Sequence, residues 1–230
     1  MNTFTGILTA AKTMSYYSRR QEITANNLAN AGTAGFKADR LVAHRPGDYD
    51  SPVPVEATDH SQGSLRTTGR TLDIALEGRG YLTIETPWGD RLSRGGSLKL
   101  DGEGRLTTDE GYPVLGEQGS ILLQGATIEI DPDGTVRSDG QPVDRLRLVV
   151  PNDGVTLMKE GSSRYVVPPT ELTQAESVQV RQGQLEEANL NSIGGMVSLV
   201  EIQRAYAASA TVLRTMDGVL GSVTRDIARV

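Results

Sequence analysis

The 230-residue sequence contains no cysteine, only two histidines and few aromatic residues. The lack of cysteine excludes disulfide bonds and thiolate catalysis. Hydrophobic residues make up 37% of the chain and aromatic residues 4%, so the material for a core is limited. No apolar run approaches the roughly 20 residues that a membrane-spanning helix needs. The sequence therefore predicts a protein that is not membrane-embedded.

A cleavable secretory signal is also missing from the N-terminal residues. Met1 to Ala11 has neither a basic leader nor a continuous apolar segment followed by a cleavage site. We expect no cleaved signal peptide, which leaves open both a cytoplasmic location and an export route that uses no such signal.

Charge is unevenly distributed along the chain. The formal net charge is −6; residues 1–45 hold six basic and two acidic side chains, and residues 193–230 hold four and three. The residues between them carry −11. An acidic middle argues against binding to nucleic acid or to an anionic membrane surface.

The C-terminal residues show the strongest periodicity in the chain. Apolar residues from Leu199 to Val230 alternate three and four apart, which predicts a helix with a coiled-coil-like seam. The seam consists of Leu199, Ile202, Tyr206, Ser209, Leu213, Met216, Leu220, Val223 and Ile227. A second row, formed by Ala205, Val212 and Val219, widens the apolar face beyond what one partner helix would cover.

A second helix is predicted at the N-terminus, over residues 3–30. Its apolar face consists of Phe4, Ile7, Leu8, Ala11, Met14, Ala25 and Leu28. Ser18 and Gln21 interrupt this face, and Asn30, Gly32 and Gly35 supply residues that commonly end helices.

Between the helices the pattern changes twice. Residues 38–63 have no periodicity and include a proline-rich run from Arg45 to Pro54, so we interpret them as an extended linker. Residues 64–182 contain short alternating runs separated by Gly, Asp and Pro, which predicts an irregular antiparallel β domain. The predicted fold class is α+β, with segments 1–37 and 183–230 forming a helical assembly core and the all-β domain inserted between them.

Candidate catalytic and metal-binding motifs are weak. The runs at Asp101 and Asp131 resemble the start of a calcium loop but lack its distal Glu, so they are interpreted as hairpin turns. His44 and His60 have no second histidine at metal-ligand spacing and are interpreted as solvated surface residues. The glycines at 78–80 and 95–96 are interpreted as turns. Trp88 is placed in a hairpin turn, where an aromatic residue is an exposed contact point or, slightly more often, a cap on the local core. The sequence thus predicts no cofactor, no metal, no small-molecule substrate and no enzymatic activity.

Several segments, taken in order, resemble the bacterial flagellar rod and hook family. They are residues 25–30 (ANNLAN), 33–37 (TAGFK), 68–78 (TGRTLDIALEG), 111–116 (GYPVLG), 183–191 (GQLEEANLN) and 201–206 (EIQRAY). Two positions depart from the family pattern: residues 93–96 (SRGG) replace a Thr-Arg pair followed by an acidic residue or Asn and then Gly, and Ala207 replaces a frequent acidic residue.

The resemblance implies a structural subunit of the flagellar rod, in the periplasmic part of the basal body. Such subunits are exported unfolded by the flagellar type III apparatus and cross the inner membrane. They then assemble with copies of themselves and with neighbouring rod proteins into a shaft that transmits torque from motor to hook. Within the family, the compact segment after the first helix favours a proximal rod position, with a distal rod or other hook–basal-body position as the alternative.

The terminal helices are the expected assembly interface in this interpretation. The candidate interface residues are Phe4, Ile7, Ala11, Met14, Ala25, Asn26, Asn27, Leu28, Asn30, Leu199, Ile202, Tyr206, Leu213, Met216, Leu220 and Val223. Two other classes remain open at this point: a β-sandwich hydrolase with a helical dimerisation stalk, and a small adaptor whose two helices pair within one chain.

Overall fold

The computed structural model describes residues 3–44, 53–161, 163–175 and 177–227. The helices are α1 (Thr3–Ala29) and α2 (Ser192–Ile227), and a short 3-10 helix covers Pro169–Glu171. The strands are β1 (Asp39–His44), β2 (Val53–Thr58), β3 (Leu65–Thr67), β4 (Ile74–Glu77), β5 (Tyr81–Thr86), β6 (Gly89–Ser93), β7 (Leu98–Leu100), β8 (Leu106–Thr108), β9 (Ile128–Ile130), β10 (Thr135–Ser138), β11 (Gln141–Arg145), β12 (Leu148–Pro151), β13 (Met158–Glu160), β14 (Arg164–Val166), β15 (Leu172–Gln174), β16 (Gln179–Gln182) and β17 (Gln184–Glu186).

The chain divides into two compact units. The helical unit comprises Met1–Ala29, Asp39–Thr58 and Asn191–Val230, and the β unit comprises Asn30–Ala38 and Asp59–Leu190. Both long helices belong to one unit although they lie at opposite ends of the sequence. The predicted α+β fold, with terminal helices and an irregular β domain between them, is confirmed.

In the helical unit, α1 and α2 pack against each other. At 27 and 36 residues they are roughly 40 and 54 Å long, at 1.5 Å per residue. A Cβ atom placed on Gly6 would lie 3.3 Å from Met216 Cε, so the two helices approach closely at this point. Ala10, Ile23 and Ile202 are the buried hydrophobic residues of the described part of this unit.

The segment that the sequence predicts as a linker contains a β-hairpin. β1 and β2 pair antiparallel, from Asp39 opposite Thr58 to His44 opposite Val53. The sequence did not indicate these strands because β1 (DRLVAH) has no regular alternation and β2 contains Pro54, which argues against a strand. Val53, Pro54, Val55 and Glu56 of β2 are all exposed. Residues 45–52 of the proline-rich run lie outside the described residues.

The β unit is built from small antiparallel sheets around one larger sheet. The larger sheet has six strands in the order β13-β14-β6-β5-β12-β15, and every pairing in it is antiparallel. The smaller sheets have the orders β11-β10-β9, β16-β4, β17-β3 and β7-β8. The main core consists of Ile74, Leu76, Leu82, Ile84, Leu98, Leu106, Val114, Ile121, Leu123, Ile128, Ile130, Val136, Leu146, Leu148, Val178 and Val180.

A second core lies on the opposite face of the larger sheet. It contains Tyr81, Leu92, Tyr165 and Val167. Tyr81 and Leu82 follow one another in β5 and enter different cores because successive side chains of a strand point to opposite faces. This strand is therefore buried on both sides, which explains its apolar character.

The Asp-Gly motifs form turns, as predicted from the sequence. Asp101 Oδ1 accepts hydrogen bonds from the backbone N–H groups of Glu103 and Arg105, both at 2.9 Å, and closes the turn between β7 and β8. The pKa of Asp101 is lowered, chiefly by the hydrogen bond that the Arg105 side chain donates to it. Asp133 accepts in the same way from Thr135 N–H at 3.0 Å.

Neither α1 nor α2 contains, among the described residues, an 18-residue stretch with the hydropathy of a bilayer-spanning helix.

Gly96 provides a test of the packing in the β unit. A Cβ atom at this position would lie 1.7 Å from the carbonyl oxygen of Ile74, whereas a Cβ on Gly102 meets open space. We expect Gly96→Ala to lower the free energy of unfolding by about 3 kcal/mol, and Gly102→Ala to change it by less than about 0.5 kcal/mol. Urea unfolding measures both, and equal effects of the two changes would contradict the described backbone.

Tyr81 provides a test at alkaline pH. Burial raises the pKa of Tyr81 to about 12, partly opposed by the charge of Arg94. Because the phenol ionises near pH 10 in the unfolded chain, wild-type stability should fall relative to Tyr81→Phe between pH 10 and 12. The expected relative loss approaches 2–3 kcal/mol, on the order of 1.4 kcal/mol per pKa unit. Unfolding curves that stay parallel over this range would show that the phenol is solvated.

Candidate assembly surface

α2 begins at a well-formed N-cap. Asn191 Oδ1 accepts a hydrogen bond from the backbone N–H of Gly194 at 3.0 Å, and Asn191 O accepts one from Gly195 N–H at 2.8 Å. Asparagine is among the preferred N-cap residues because its side chain satisfies a backbone donor that has no partner within the helix. The cap fixes the start of the helix despite the two following glycines, which are poor helix formers.

The predicted seam residues differ in their burial within one chain. Ile202 is buried; Ile7, Met14, Asn27, Leu28, Asn30, Leu199, Leu213 and Met216 are half-buried; Ala11, Ala25, Asn26 and Tyr206 are exposed. The side chains of Phe4, Leu220 and Val223 lie outside the described residues. The structure thus brings part of the seam into the packing of one chain, and the role of the set in contacts between subunits stays a prediction.

The polar residue of the seam is satisfied locally. Ser209 Oγ donates a hydrogen bond to the carbonyl oxygen of Ala205 at 2.9 Å, one turn earlier in α2. Thr211 and Thr215 make the same type of bond to residues 207 and 211. These hydroxyl groups therefore have partners within the helix and do not require a polar partner on another chain.

The second apolar row of α2 is exposed. Val212 and Val219 retain 47% and 52% of their accessible surface, and Ala205 is half-buried. At 100° per residue, the row lies roughly 90° around the helix from Ile202. The prediction that a pair of helices leaves this row uncovered is confirmed for the two valines.

A further apolar patch lies near the start of α2 and is missing from the predicted interface. Ile193, Met196, Val197 and Val200 are 75%, 55%, 56% and 48% exposed. Their three- and four-residue spacing places them on one face, centred roughly 180° from Ile202. This spacing was available in the sequence, but it lies N-terminal to the heptad pattern that begins at Leu199.

The end of α1 holds the β1–β2 hairpin. The Asn27 side chain donates from Nδ2 to the carbonyl oxygen of Asp39 at 2.7 Å and accepts at Oδ1 from Asp39 N–H at 2.9 Å. Asp39 Oδ1 in turn accepts a hydrogen bond from the Thr58 hydroxyl at 2.7 Å. The Asn27 side chain thus makes the same two hydrogen bonds with the backbone of β1 that a neighbouring strand would make. One residue of the ANNLAN segment therefore attaches the hairpin to α1.

Ile23 faces the hairpin and not the predicted seam. Together with Tyr16 and Leu41 it lines a cavity of about 290 Å³ between α1 and β1. The sequence pattern missed this residue because the heptad spacing places Ala25 and Leu28 on the apolar face. Asn30 lies beyond α1 and belongs to the β unit, where its side chain accepts a hydrogen bond from the Thr33 hydroxyl at 3.3 Å.

His60, one of the two histidines considered as metal ligands, contacts aromatic residues of the β unit. His60 Nδ1 lies 3.0 Å from the Tyr81 hydroxyl, and the His60 ring contacts Tyr165 edge-on, so this histidine joins the second core and is not simply solvated. The described residues contain no cluster of three or more His, Cys, Asp or Glu placed to hold a metal ion. The His44 side chain lies outside the described residues.

Trp88 lies in the turn between β5 and β6 and is 66% exposed. It lines a groove of about 920 Å³ on the larger sheet, with Met158 also at its edge. Two of the charged groups of the groove are paired: Arg91 with Glu160 at 2.6 Å, and Arg147 with Asp90. The placement of Trp88 in a turn is confirmed, but its exposure shows that it does not cap the local core.

A pair of long terminal helices with apolar surface on several faces, around a β-rich insertion, is typical of a structural protein that assembles with other subunits. Three family descriptions match the chain: "Flagella basal body rod protein" over residues 7–37, "Flagellar hook protein FlgE/F/G D1 domain" over 75–141, and "Flagellar basal body rod FlgEFG protein C-terminal" over 181–226.

Individual relatives match over nearly the whole chain. The flagellar basal-body rod protein FlgF of Caulobacter vibrioides is 33% identical, over 85% of this chain and 86% of its own length. FlgF of Rhizobium meliloti is 31% identical over 94% and 95%, and FlgG of Bacillus subtilis 26% identical over 90% and 93%. The chain belongs to the flagellar basal-body rod protein family.

The Asn27 pairing can be tested against another contact between α1 and the hairpin. Asn27→Ala removes two half-buried hydrogen bonds and leaves the backbone groups of Asp39 without these partners, so we expect a loss of about 1–3 kcal/mol in local stability. Arg19→Ala removes exposed ion pairs with Glu22 and Glu56 and should have a clearly smaller effect, since solvent screens these charges. Hydrogen exchange of the β1 amides measures both; faster exchange in the Arg19 variant than in the Asn27 variant would refute this role of Asn27.

Proposed function

We propose that this chain is a structural subunit of the bacterial flagellar rod that polymerises through its terminal helices. Neighbouring subunits would cover the apolar rows that one chain leaves exposed. The resulting helical shaft would transmit torque from the motor to the hook. Family membership supports the structural role, and the exposed rows of α2 support the mode of assembly.

The observation that carries the proposal is the position of the exposed apolar residues on α2. Val212 and Val219 lie on one flank of the helix, and the patch from Ile193 to Val200 lies opposite Ile202. Because α1 can cover only one face of α2, these two groups require different neighbours. A helix that makes contacts in several directions suits a heterologous interface, which repeats without closing and so generates a helical polymer.

Charge supports the same arrangement. The helical unit holds nine basic and eight acidic residues and is close to neutral, whereas the β unit holds 14 basic and 21 acidic residues. Nearly neutral helical units can approach one another with little net repulsion. Acidic β units are better placed in solvent, on the outside of the shaft.

The position within the rod is proposed from the relatives and the length of the chain. The FlgF relatives match at higher identity than the FlgG relatives. The segment after α1 is also compact, which favours the proximal over the distal rod. As partners we propose further copies of this chain, neighbouring rod proteins and, during export, the flagellar type III apparatus. The proposed location is the periplasmic part of the basal body.

The assembly surface can be tested by placing a charge on each exposed group. Val212→Asp and Val197→Asp alter side chains that are about half exposed in one chain, so the circular dichroism spectrum and melting temperature of the monomer should stay unchanged. In the polymer each would bury an unpaired carboxylate, at a cost of several kcal/mol. We expect cells that depend on either variant to lose swimming and to lack complete rods.

Val143→Asp is the matched control, since it introduces the same charge at a partly exposed valine of β11, in the β unit. Cells with this variant should swim normally. Normal rods with both Val212→Asp and Val197→Asp would exclude the two exposed groups of α2 as subunit contacts.

A further inference from the structure

Three of the sequence motifs meet at one buried point of the β unit. Lys37 ends the TAGFK segment, Arg94 lies in the SRGG segment and Glu186 lies in the GQLEEANLN segment. Their exposed fractions are 1%, 6% and 2%. Charged residues are almost never buried to this degree unless they pair, so their meeting requires a structural reason.

The Glu186 carboxylate binds both cations. Its Oε1 accepts from Lys37 Nζ at 2.5 Å and from Gly63 N–H at 2.9 Å, and its Oε2 accepts from Arg94 Nε at 2.6 Å. The two carboxylate oxygens thus bind different segments of the chain: Oε1 binds Lys37 and Gly63, and Oε2 binds Arg94. Replacing Glu186 would leave two buried cations without their shared anion.

The remaining donors of both cations bind backbone carbonyl groups. Lys37 Nζ donates to Ser61 O at 2.6 Å. Arg94 donates from Nη2 to Leu76 O and Gly78 O at 2.7 and 2.8 Å, and from Nη1 to Gly80 O. Arg94 therefore holds the turn between β4 and β5, and Glu186 links that turn to the segment that precedes β1.

Backbone contacts reinforce the meeting of the motifs. Gly35 N–H donates to Glu186 O at 2.8 Å. Gly35 has φ +68°, and a Cβ atom on it would lie 2.3 Å from Arg94 O, so a glycine is required at this contact. The TAGFK segment is therefore shaped to lie against the backbone of residue 94.

Asn189 joins the points at which the chain enters and leaves the β unit. Its Oδ1 accepts from Ala38 N–H at 2.8 Å, and its Nδ2 donates to Asp59 O at 2.7 Å. Ala38, Asp59 and Asn189 all lie next to boundaries between the two units. A single amide side chain thus ties three such points together.

We propose that Lys37, Arg94, Glu186 and Asn189 form a clasp that makes folding of the β unit depend on residues 30–38. The segment after α1 is then an integral part of the β unit and not a peptide docked on a domain that is already complete. The β4–β5 region would lose protection whenever the segment detaches. The inference extends beyond the assembly proposed above, because it concerns one chain alone and is tested on the monomer.

Glu186 also acts on the ionisation of Lys37. Burial lowers the pKa of Lys37, and the hydrogen bond and charge of Glu186 act in the opposite direction. Glu186 thus favours the charged form of this buried side chain. Loss of that partner should release the segment.

Hydrogen exchange of the full-length monomer, followed by mass spectrometry, tests the clasp. Glu186→Gln should accelerate amide exchange on the order of 100-fold, as expected when a buried ion pair is broken. The acceleration should occur both in residues 30–38 and in the β4–β5 region. Glu187→Gln is the matched control, since the adjacent Glu187 forms an exposed pair with Arg66 at 3.1 Å. That change should accelerate exchange by less than about 5-fold.

If the Glu186 variant does not fold, Lys37→Met tests whether the β4–β5 region depends on residues 30–38. It removes the cation, keeps a chain of similar length and leaves the Arg94–Glu186 pair in place. We expect a smaller acceleration than for Glu186→Gln, by the same factor in residues 30–38 and in β4–β5. Acceleration confined to residues 30–38, in either variant, would overturn the proposal because it would show a segment docked on an independently folded unit.

Discussion

The central constraint on this protein is that α2 carries apolar side chains on more faces than one chain can cover. Ile202 is buried, whereas Val212 and Val219 on one flank and the patch from Ile193 to Val200 on the opposite side face solvent. Each buried side chain of this size contributes about 1.5–3 kcal/mol relative to its exposed state. In the proposed assembly, a large share of the stabilisation available to the helical unit would come from neighbouring subunits, which would link the order of the helices to association.

The β unit is stabilised differently. Its main core is formed within one chain, and its buried charges are satisfied by each other and by backbone carbonyl groups. A unit of this kind can fold before assembly and keep its structure in the polymer. The chain thus combines a unit whose core is complete within one chain with a helical unit that leaves apolar side chains of α2 exposed. This division explains why the strongest apolar periodicity lies at the ends of the sequence and not in the middle.

The sequence predicts the architecture well because its signals are local. Heptad spacing from Leu199, Asp-Gly turns such as the one at Asp101, and short alternating runs each depend on neighbouring residues alone. The β1–β2 hairpin was not predicted because β1 has no regular alternation and Pro54 within β2 argues against a strand. The pairing of Asn27 with Asp39 could not be predicted either, since it depends on where the backbone returns after α1 ends.

The segments that resemble the rod family divide between the two units, and their physical roles differ. Asn27 of the ANNLAN segment acts in the helical unit, whereas Lys37, Arg94 and Glu186 act in the β unit. A buried ion cluster tolerates partial change poorly, since removing one member leaves a desolvated charge without compensation. Replacement of the whole cluster by apolar residues would need several simultaneous changes in segments far apart in the sequence. This requirement is a physical reason to expect that Lys37, Arg94 and Glu186, which are buried within one chain, change together or not at all.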